Sequence, residues 1–578
     1  MILTYNDSTK SGVTFDSLLN LSAKQLADLN MGPSGADGQA QKRLDYLRGD
    51  RSNEGVGANF RVRSSALGDI VYSNPVFVGK AQGSYADDTS IGDGLYSQFK
   101  VSMGSRPGVI YVGSNDGMLH GFRETDGSEV IAYMPNMLFS NATGEGLHYL
   151  TDSAYTHHYY ADLSPTVQDV YVGSSWRTML MGGFRAGGRG LYALDVTNPS
   201  SFSAANANST VLWEFTSNDN NNLGYSFSKP TMTQMENGKW AAIFGNGYND
   251  LGTGSAQLFI LFLDGGMDRT WSASDYVVID TGVGTSGDRN GLSTPAVVDT
   301  DGNGKADRVY AGDLKGNLWA FDVSNASSAN WDVAYKQGAT PKALFHAEAT
   351  AGLPQPITSK PVVARHPTEA TTSSNKPNVL VFFGTGQYIV AGDKSDTSTQ
   401  TMYGVWDDGQ AASKYPLDRS DLVAQTLQGS STADLRVQTD NPVDYASMFG
   451  WMFDFPTPSE RLVVDPKIRG DYVFFNSLIP DAAMCNSQGY GWLYALKLVN
   501  GGRPDDPVFD INNDGLVNDS DKLGDSPGGV KLDGIPAGSN FLGDNMYTPD
   551  DEGHIDIRRV DAGIGIDSGR LSWREVRK

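Results

Sequence analysis

Two stretches of this chain carry oxygen-bearing side chains at the alternate spacing that a hard cation needs. The first is Asp299-Thr-Asp301-Gly-Asn303-Gly-Lys305-Ala-Asp307, with side-chain oxygens at positions 1, 3, 5 and 9 and the Lys305 carbonyl at position 7. The second is Asp510-Ile-Asn512-Asn-Asp514-Gly-Leu516-Val-Asn518-Asp-Ser-Asp521, with oxygens at positions 1, 3, 5, 9 and 12, glycine at 6 and the Leu516 carbonyl at 7. An ion of calcium's size takes about six to eight oxygens at roughly 2.3–2.6 Å, and interleaved glycines let a short loop coil around it. In the first loop Tyr310 stands where an EF-hand has its closing glutamate, so either water completes the shell or Asp307 ligates directly. Carboxylates at this spacing repel one another without a cation between them. Both loops are therefore expected to bind Ca2+. The second is the fuller pattern, of the kind seen in dockerin repeats, although it occurs once and a dockerin carries it twice with flanking helices. Calcium there would order an acidic insertion, 502–530, that self-repulsion otherwise keeps loose.

The loops need a scaffold, and the chain supplies a periodic one. Prolines open apolar runs at Pro75, Pro165, Pro230, Pro295, Pro361 and Pro466. The first residue of a strand is one of the few sheet positions that tolerates proline. Each unit then repeats a glycine-containing turn and an aromatic strand, as in Leu318-Trp-Ala-Phe-Asp-Val323. Four antiparallel strands per unit, repeated, predict an all-β chain: a β-propeller of four-stranded blades, seven in number, with stretch 541–576 as the last. Residues 1–62 differ, with a capping-box pattern at Ser22 to Gln25 and helical spacing around Leu44 and Leu47, and read as a helical connector ahead of a propeller at 63–578.

The net charge of −23 over 578 residues argues against nucleic acid as a partner, because phosphate binding needs basic clusters. No run of eighteen apolar residues is present to span a bilayer. The start, Met-Ile-Leu-Thr, has no basic region or apolar core of a signal peptide. Cys485 is the sole cysteine, so no internal disulfide and no CxxC metal knuckle forms. Other patterns reduce to structure. Gly282-Val-Gly-Thr-Ser-Gly287 spells a dinucleotide fingerprint without the following helix that one requires. His157 and His158 point to opposite faces of any strand, which tells against a zinc site with His148. Gly182 to Gly190 reads as a hairpin loop. Arg48-Gly49-Asp50 is the tripeptide that some integrins read, at what is also an ordinary helix terminus.

Tyr46-Leu-Arg-Gly-Asp-Arg-Ser-Asn-Glu54, Leu67-Gly-Asp-Ile-Val-Tyr-Ser-Asn-Pro75, Gly187-Gly-Arg-Gly-Leu-Tyr-Ala-Leu-Asp-Val-Thr197, the stretch Asp299 to Val323, and Ser568-Gly-Arg-Leu-Ser-Trp573 together resemble the PilY/PilC family of type IV pilus tip-associated proteins, and in particular its C-terminal propeller domain. The resemblance implies a bacterial surface protein without enzymatic activity, at the pilus tip, outer membrane-associated or secreted. It implies minor pilins as partners, and roles in pilus biogenesis, twitching motility, adhesion and virulence. It further implies that calcium held by Asp299, Asp301, Asn303, the Lys305 carbonyl and Asp307 gates extension against retraction. Asp510, Asn512, Asp514, Leu516, Asn518 and Asp521 look like a second family site. Arg48, Gly49 and Asp50 resemble an integrin-binding element, and the family's N-terminal half and signal peptide would precede this stretch.

Two other readings use the same architecture. A quinoprotein dehydrogenase propeller also holds calcium, but its ion is bound by residues gathered around the central channel, and many such enzymes carry a vicinal cysteine pair. A glycan-binding propeller would use aromatic platforms, for which Trp406, Trp451 and Trp492 are the candidates.

Overall fold

The computed structural model describes residues 1–55, 60–87, 94–350, 352–373, 375–410, 412–481 and 489–563. The chain divides into two compact units, Met1–Gly291 and Leu292–Lys578. Each is built from antiparallel sheets in which strands adjacent in sequence lie side by side.

In the first unit, one sheet runs Val76–Val78, Val109–Gly113, Leu119–Arg123 and Glu129–Met134. The next runs Thr166–Val172, Ser175–Gly183, Gly190–Asp195 and Val211–Thr216, and the third Thr231–Met235, Trp240–Gly245, Gln257–Phe262 and Tyr276–Asp280. In the second unit the order repeats: Ala296–Val298, Arg308–Gly312, Asn317–Asp322 and Asp332–Val333 form one sheet. Val362–Arg365, Val379–Gly384, Thr401–Asp407 and Gly450–Asp454 lead the next, and Lys467–Arg469, Tyr472–Ile479, Tyr490–Lys497 and Gly529–Leu532 the one after. All six repeat prolines stand immediately before the first strand of a sheet. The ring fixes φ and removes a donor, so the ladder starts one residue later. Middle strands such as Trp240–Gly245 and Val379–Gly384 are buried along their whole length, as strands covered on both faces must be.

A last sheet, Asn540–Leu542, Asn545–Pro549 and Ile555–Arg559, has three described strands. The expected seventh blade extends to residue 576, and its portion from 564 lies outside the described residues, as does Ser568–Trp573.

The segment 1–62 departs from a purely helical connector. Its helices are present, Ala23–Leu29 behind a Ser22/Gln25 capping box and Ala40–Leu47. The chain nevertheless begins with two strands, Ile2–Asn6 and Ser11–Thr14, and Ile2–Asn6 pairs in parallel with Glu129–Met134. Leu3, Tyr5, Leu29, Leu44 and Leu47 are buried in one core with Val109, Tyr111 and Tyr133. The segment is part of the first unit because its apolar side chains complete that core. In the second unit the central core joins Phe382, Tyr403, Trp451, Phe475 and Tyr494.

Candidate metal centre

The first loop connects the inner strand Ala296–Val298 to Arg308–Gly312. Pairing of Val298 with Arg308 across the hairpin fixes its two ends. The Asp307 amide donates to the Val298 carbonyl (3.0 Å), and its own carbonyl accepts from Val323 (2.8 Å). Asp299 and Asp307 are buried, whereas Asp301 is exposed, and one carboxylate oxygen from each lies within 4.8 Å of the others. That is the spread of ligands about a common point at calcium–oxygen distance. Among the described residues no other trio of acidic, histidine or cysteine side chains converges in this way.

Backbone amides turn inward to hold the acids. The Asp299 carboxylate accepts from Gly302 (2.6 Å) and Gly304 (2.8 Å), whose φ angles of 84° and 90° suit glycine alone. Asp301 accepts from the Asn303 amide (2.9 Å), and Asn303 from the Lys305 amide (2.8 Å). Asp307 accepts from the Thr300 amide (2.7 Å) and hydroxyl (2.8 Å) and from the Asp301 amide (3.3 Å). Burial still pushes the Asp307 carboxyl up to about 6, the Thr300 donors opposing and the charges of Asp301 and Asp299 adding to it.

The second loop lies between the third and fourth strands of the sixth sheet and repeats the same wiring. Asp510 accepts from Gly515 (2.9 Å), Asn512 from Asp514 (2.9 Å) and Asp514 from Leu516 (2.8 Å). The closing Asp521 accepts from the amides of Ile511 (2.9 Å), Asn512 (3.3 Å) and Asn518 (3.0 Å). Asn518 caps the turn by accepting from Ser520 (2.8 Å). In each loop the first acid accepts from the amide five residues on, and the last acid from the amides one and two residues after the first. Asp510 and Asp521 are buried, and Asp510 Oδ1 has no hydrogen-bond partner. All donors in both loops are oxygens, the set that suits a hard divalent ion and excludes a soft one.

The remaining sequence candidates do not converge. Arg48 and Asp50 are exposed at the end of the second helix, with Gly49 at φ 103°. Arg48 donates to the Phe15 carbonyl (2.8 Å), and Asp50 accepts from Ser52 (2.7 Å). His148 lies against Asp28 (3.0 Å), His157 against Asp69 (2.8 Å), and the His158 ring packs tilted against Tyr149, so the three do not converge on one ion. Trp406, Trp451 and Trp492 are buried and offer no platform for a sugar. Sequence reading missed a buried network beside the first loop: Arg308 pairs with Asp407 (3.1 Å), which also accepts from Tyr310 (2.7 Å) and Tyr335. Asp407 lies 99, 97 and 72 positions from Arg308, Tyr310 and Tyr335, and no local pattern links it to them.

A model of the family described as the PilY1 beta-propeller domain matches residues 67–438. The type IV pilus biogenesis factor PilY1 of Pseudomonas aeruginosa strain PAK is 36% identical over 607 aligned residues, covering 96% of this chain and 49% of the relative. A PilY1 homolog of Xylella fastidiosa is 38% identical over 480, covering 79% of this chain and 31% of the relative. The chain thus spans about half or less of the length of these curated relatives. The crystal structure of the P. aeruginosa PilY1 C-terminal domain matches with a TM-score of 0.66 at 32% identity, covering 84% of this chain and all of that one. The successive sheets, most of them built on four strands that follow one another along the chain, are the blades of a β-propeller, and the chain belongs to the PilY1 family.

Proposed function

We propose that this chain is the calcium-binding propeller of a type IV pilus biogenesis factor, acting by assembly and adhesion with no catalysis of its own. The observation that carries the reading is the convergence of Asp299, Asp301 and Asp307 in a loop wired like the one at 510–521. The names of the relatives supply the biological setting. In this reading Asp299, Asp301, Asn303, the Lys305 carbonyl and Asp307 hold one Ca2+, and Asp510, Asn512, Asp514, the Leu516 carbonyl, Asn518 and Asp521 hold another. A bound calcium ion supplies a fixed double positive charge that offsets the loop acids. The inward amides pre-shape each loop, so little ordering remains to be done on binding.

Asp307 joins the loop to strand Arg308–Gly312, so the state of the first loop is imposed on the second strand of its sheet. We take that as the route by which occupancy biases pilus extension against retraction, with effects on twitching motility, surface attachment and virulence. The setting is the bacterial surface at the pilus tip, with minor pilins as partners. The exposed Arg48-Gly49-Asp50 turn is the element that would meet an integrin on a host cell.

Calorimetric titration tests the metal reading: two calcium equivalents are expected, one lost in Asp301→Ala and the other in Asp514→Ala. No uptake by the purified chain refutes it. Surface piliation of cells carrying Asp307→Ala in the full-length protein tests the link to the pilus, and unchanged piliation refutes that part alone.

A further inference from the structure

The second loop does more than close on itself, because its first acid is also the last residue of a strand pair. Val508 and Asp510 lie antiparallel to Arg559 and Asp561: the Asp510 amide donates to the Arg559 carbonyl (3.1 Å) and the Asp561 amide to the Val508 carbonyl (3.0 Å). Phe509 and Val560 form the bridge between them. The Asp510 carbonyl in turn accepts from Arg558 Nη1 (3.1 Å). Both main-chain polar groups of Asp510 are thus tied to the last sheet, while its carboxylate faces the loop, Oδ2 on Gly515 and Oδ1 buried without a partner. An acceptor that is buried, charged and unpaired marks a place where a cation belongs.

The sheet on the far side of this pairing is tied at two ends. At its first strand Arg469 donates to the Gly543 carbonyl (2.8 Å), Ser539 donates to Asn476 (2.9 Å) and Phe541 packs on Phe474. The pairing with 508–510 holds the end of its last strand. It has three described strands where the other six have at least four, and Leu542, Ile555 and Ile557 stand 73%, 57% and 58% exposed. Its inward face reaches the core through Met546, Val560 and Ala562, which pack with Val508, Phe509 and Phe474. Two of those core residues, Val508 and Phe509, belong to the segment that leads into Asp510.

We infer that the 510–521 loop is a cation-dependent clasp for the last strand of this sheet: calcium on Asp510 holds segment 508–510 against 559–561, and its removal frees that edge and loosens strand Ile555–Arg559. The inference rests on the calcium reading of this loop. It adds that the two loops have separate tasks, the second governing the order of that last strand. Without the ion the buried Asp510 Oδ1 has no partner, the loop opens to hydrate it, and Asp510 leaves its pairing with Arg559 because one residue serves both.

Hydrogen–deuterium exchange on the whole chain, read on peptides covering 504–512 and 553–563, tests this in calcium and in chelator. Chelation should speed exchange in these peptides about tenfold or more, in the native chain and in Asp301→Ala alike. Asp514→Ala should exchange at the fast rate in both buffers, with Asp514→Asn as the variant to read where the alanine form does not fold. Titration of Asp301→Ala with calcium separates the two levels. If that variant takes up one calcium but its 553–563 peptides exchange at the same rate with and without the ion, the clasp is overturned and the metal site stands. If it takes up none, both fall. A chelation response that persists in both Asp514 variants also overturns the clasp.

Discussion

Asp307→Asn should make the calcium-free chain more stable, although it replaces a carboxylate in the proposed calcium loop. In the native loop the Asp307 carboxyl is 3% exposed and sits with Asp299 and Asp301 near a common point. Its folded value of about 6 stands above the ordinary 3.8, chiefly through burial. The folded group therefore binds its proton more tightly than the unfolded one, and stability without metal falls as pH rises from about 4 to about 6. A shift of roughly two pH units is worth about 3 kcal/mol once the group is ionised. Asparagine keeps one oxygen for the Thr300 and Asp301 donors and directs an amide N–H toward the neighbouring carboxylates. Chemical unfolding at pH 7.5 in chelator should thus show the variant ahead by up to about 3 kcal/mol, and the order should reverse in millimolar calcium. A variant less stable than the native chain in chelator refutes the reasoning, since it means the donors already satisfy the charge.

Glu214 is buried, accepting from Tyr133 (2.7 Å) and the Asn136 amide (2.6 Å), and burial raises its carboxyl to about 7. Its contribution to stability is therefore lost as pH rises from about 4.5 to 7, by about 3 kcal/mol, and Glu214→Gln should flatten that part of the pH–stability curve measured by urea unfolding. Asp407→Ala removes the buried carboxylate that faces Arg308, leaving Asp322 at 3.6 Å as a more distant acid, and should cost about 3 kcal/mol, while the double variant Arg308→Met/Asp407→Leu should recover most of it in the same assay. Gly304→Ala places a side chain at φ 90° beside the amide that holds Asp299 and should lower stability by about 1–2 kcal/mol, with weaker calcium uptake by titration.

The repeat was legible in the sequence because its markers are local. A proline, a glycine turn and an aromatic run fall inside a short window, and each of the six prolines proved to precede a first strand. The oxygen spacing of the two loops was legible for the same reason. What sequence could not show were pairings between distant segments. Ile2–Asn6 is five residues long; its hairpin partner Ser11–Thr14 is nearby, but Glu129–Met134, which makes the pair part of a larger sheet, lies far along the chain. Val423–Gln425, added in parallel beside Gly450–Asp454, is shorter still at three residues. The pairing of Val508 to Asp510 with the last described sheet is likewise non-local: its partners at 559–561 lie beyond a run of acidic and glycine residues, and a single bridge leaves no periodic pattern.

The prolines ahead of the first strands have a further consequence. A residue without an N–H cannot extend the ladder backward, so each sheet has a fixed point of origin that neighbouring loops cannot drag upstream. Lengthening a connection elsewhere, as between Pro361 and Pro466, leaves that origin where it was. The scaffold therefore behaves as a set of indexed sockets: foreign segments spliced into the exposed turn at 429–434, between the strands Val423–Gln425 and Leu435–Arg436, should be carried without disturbing the sheets.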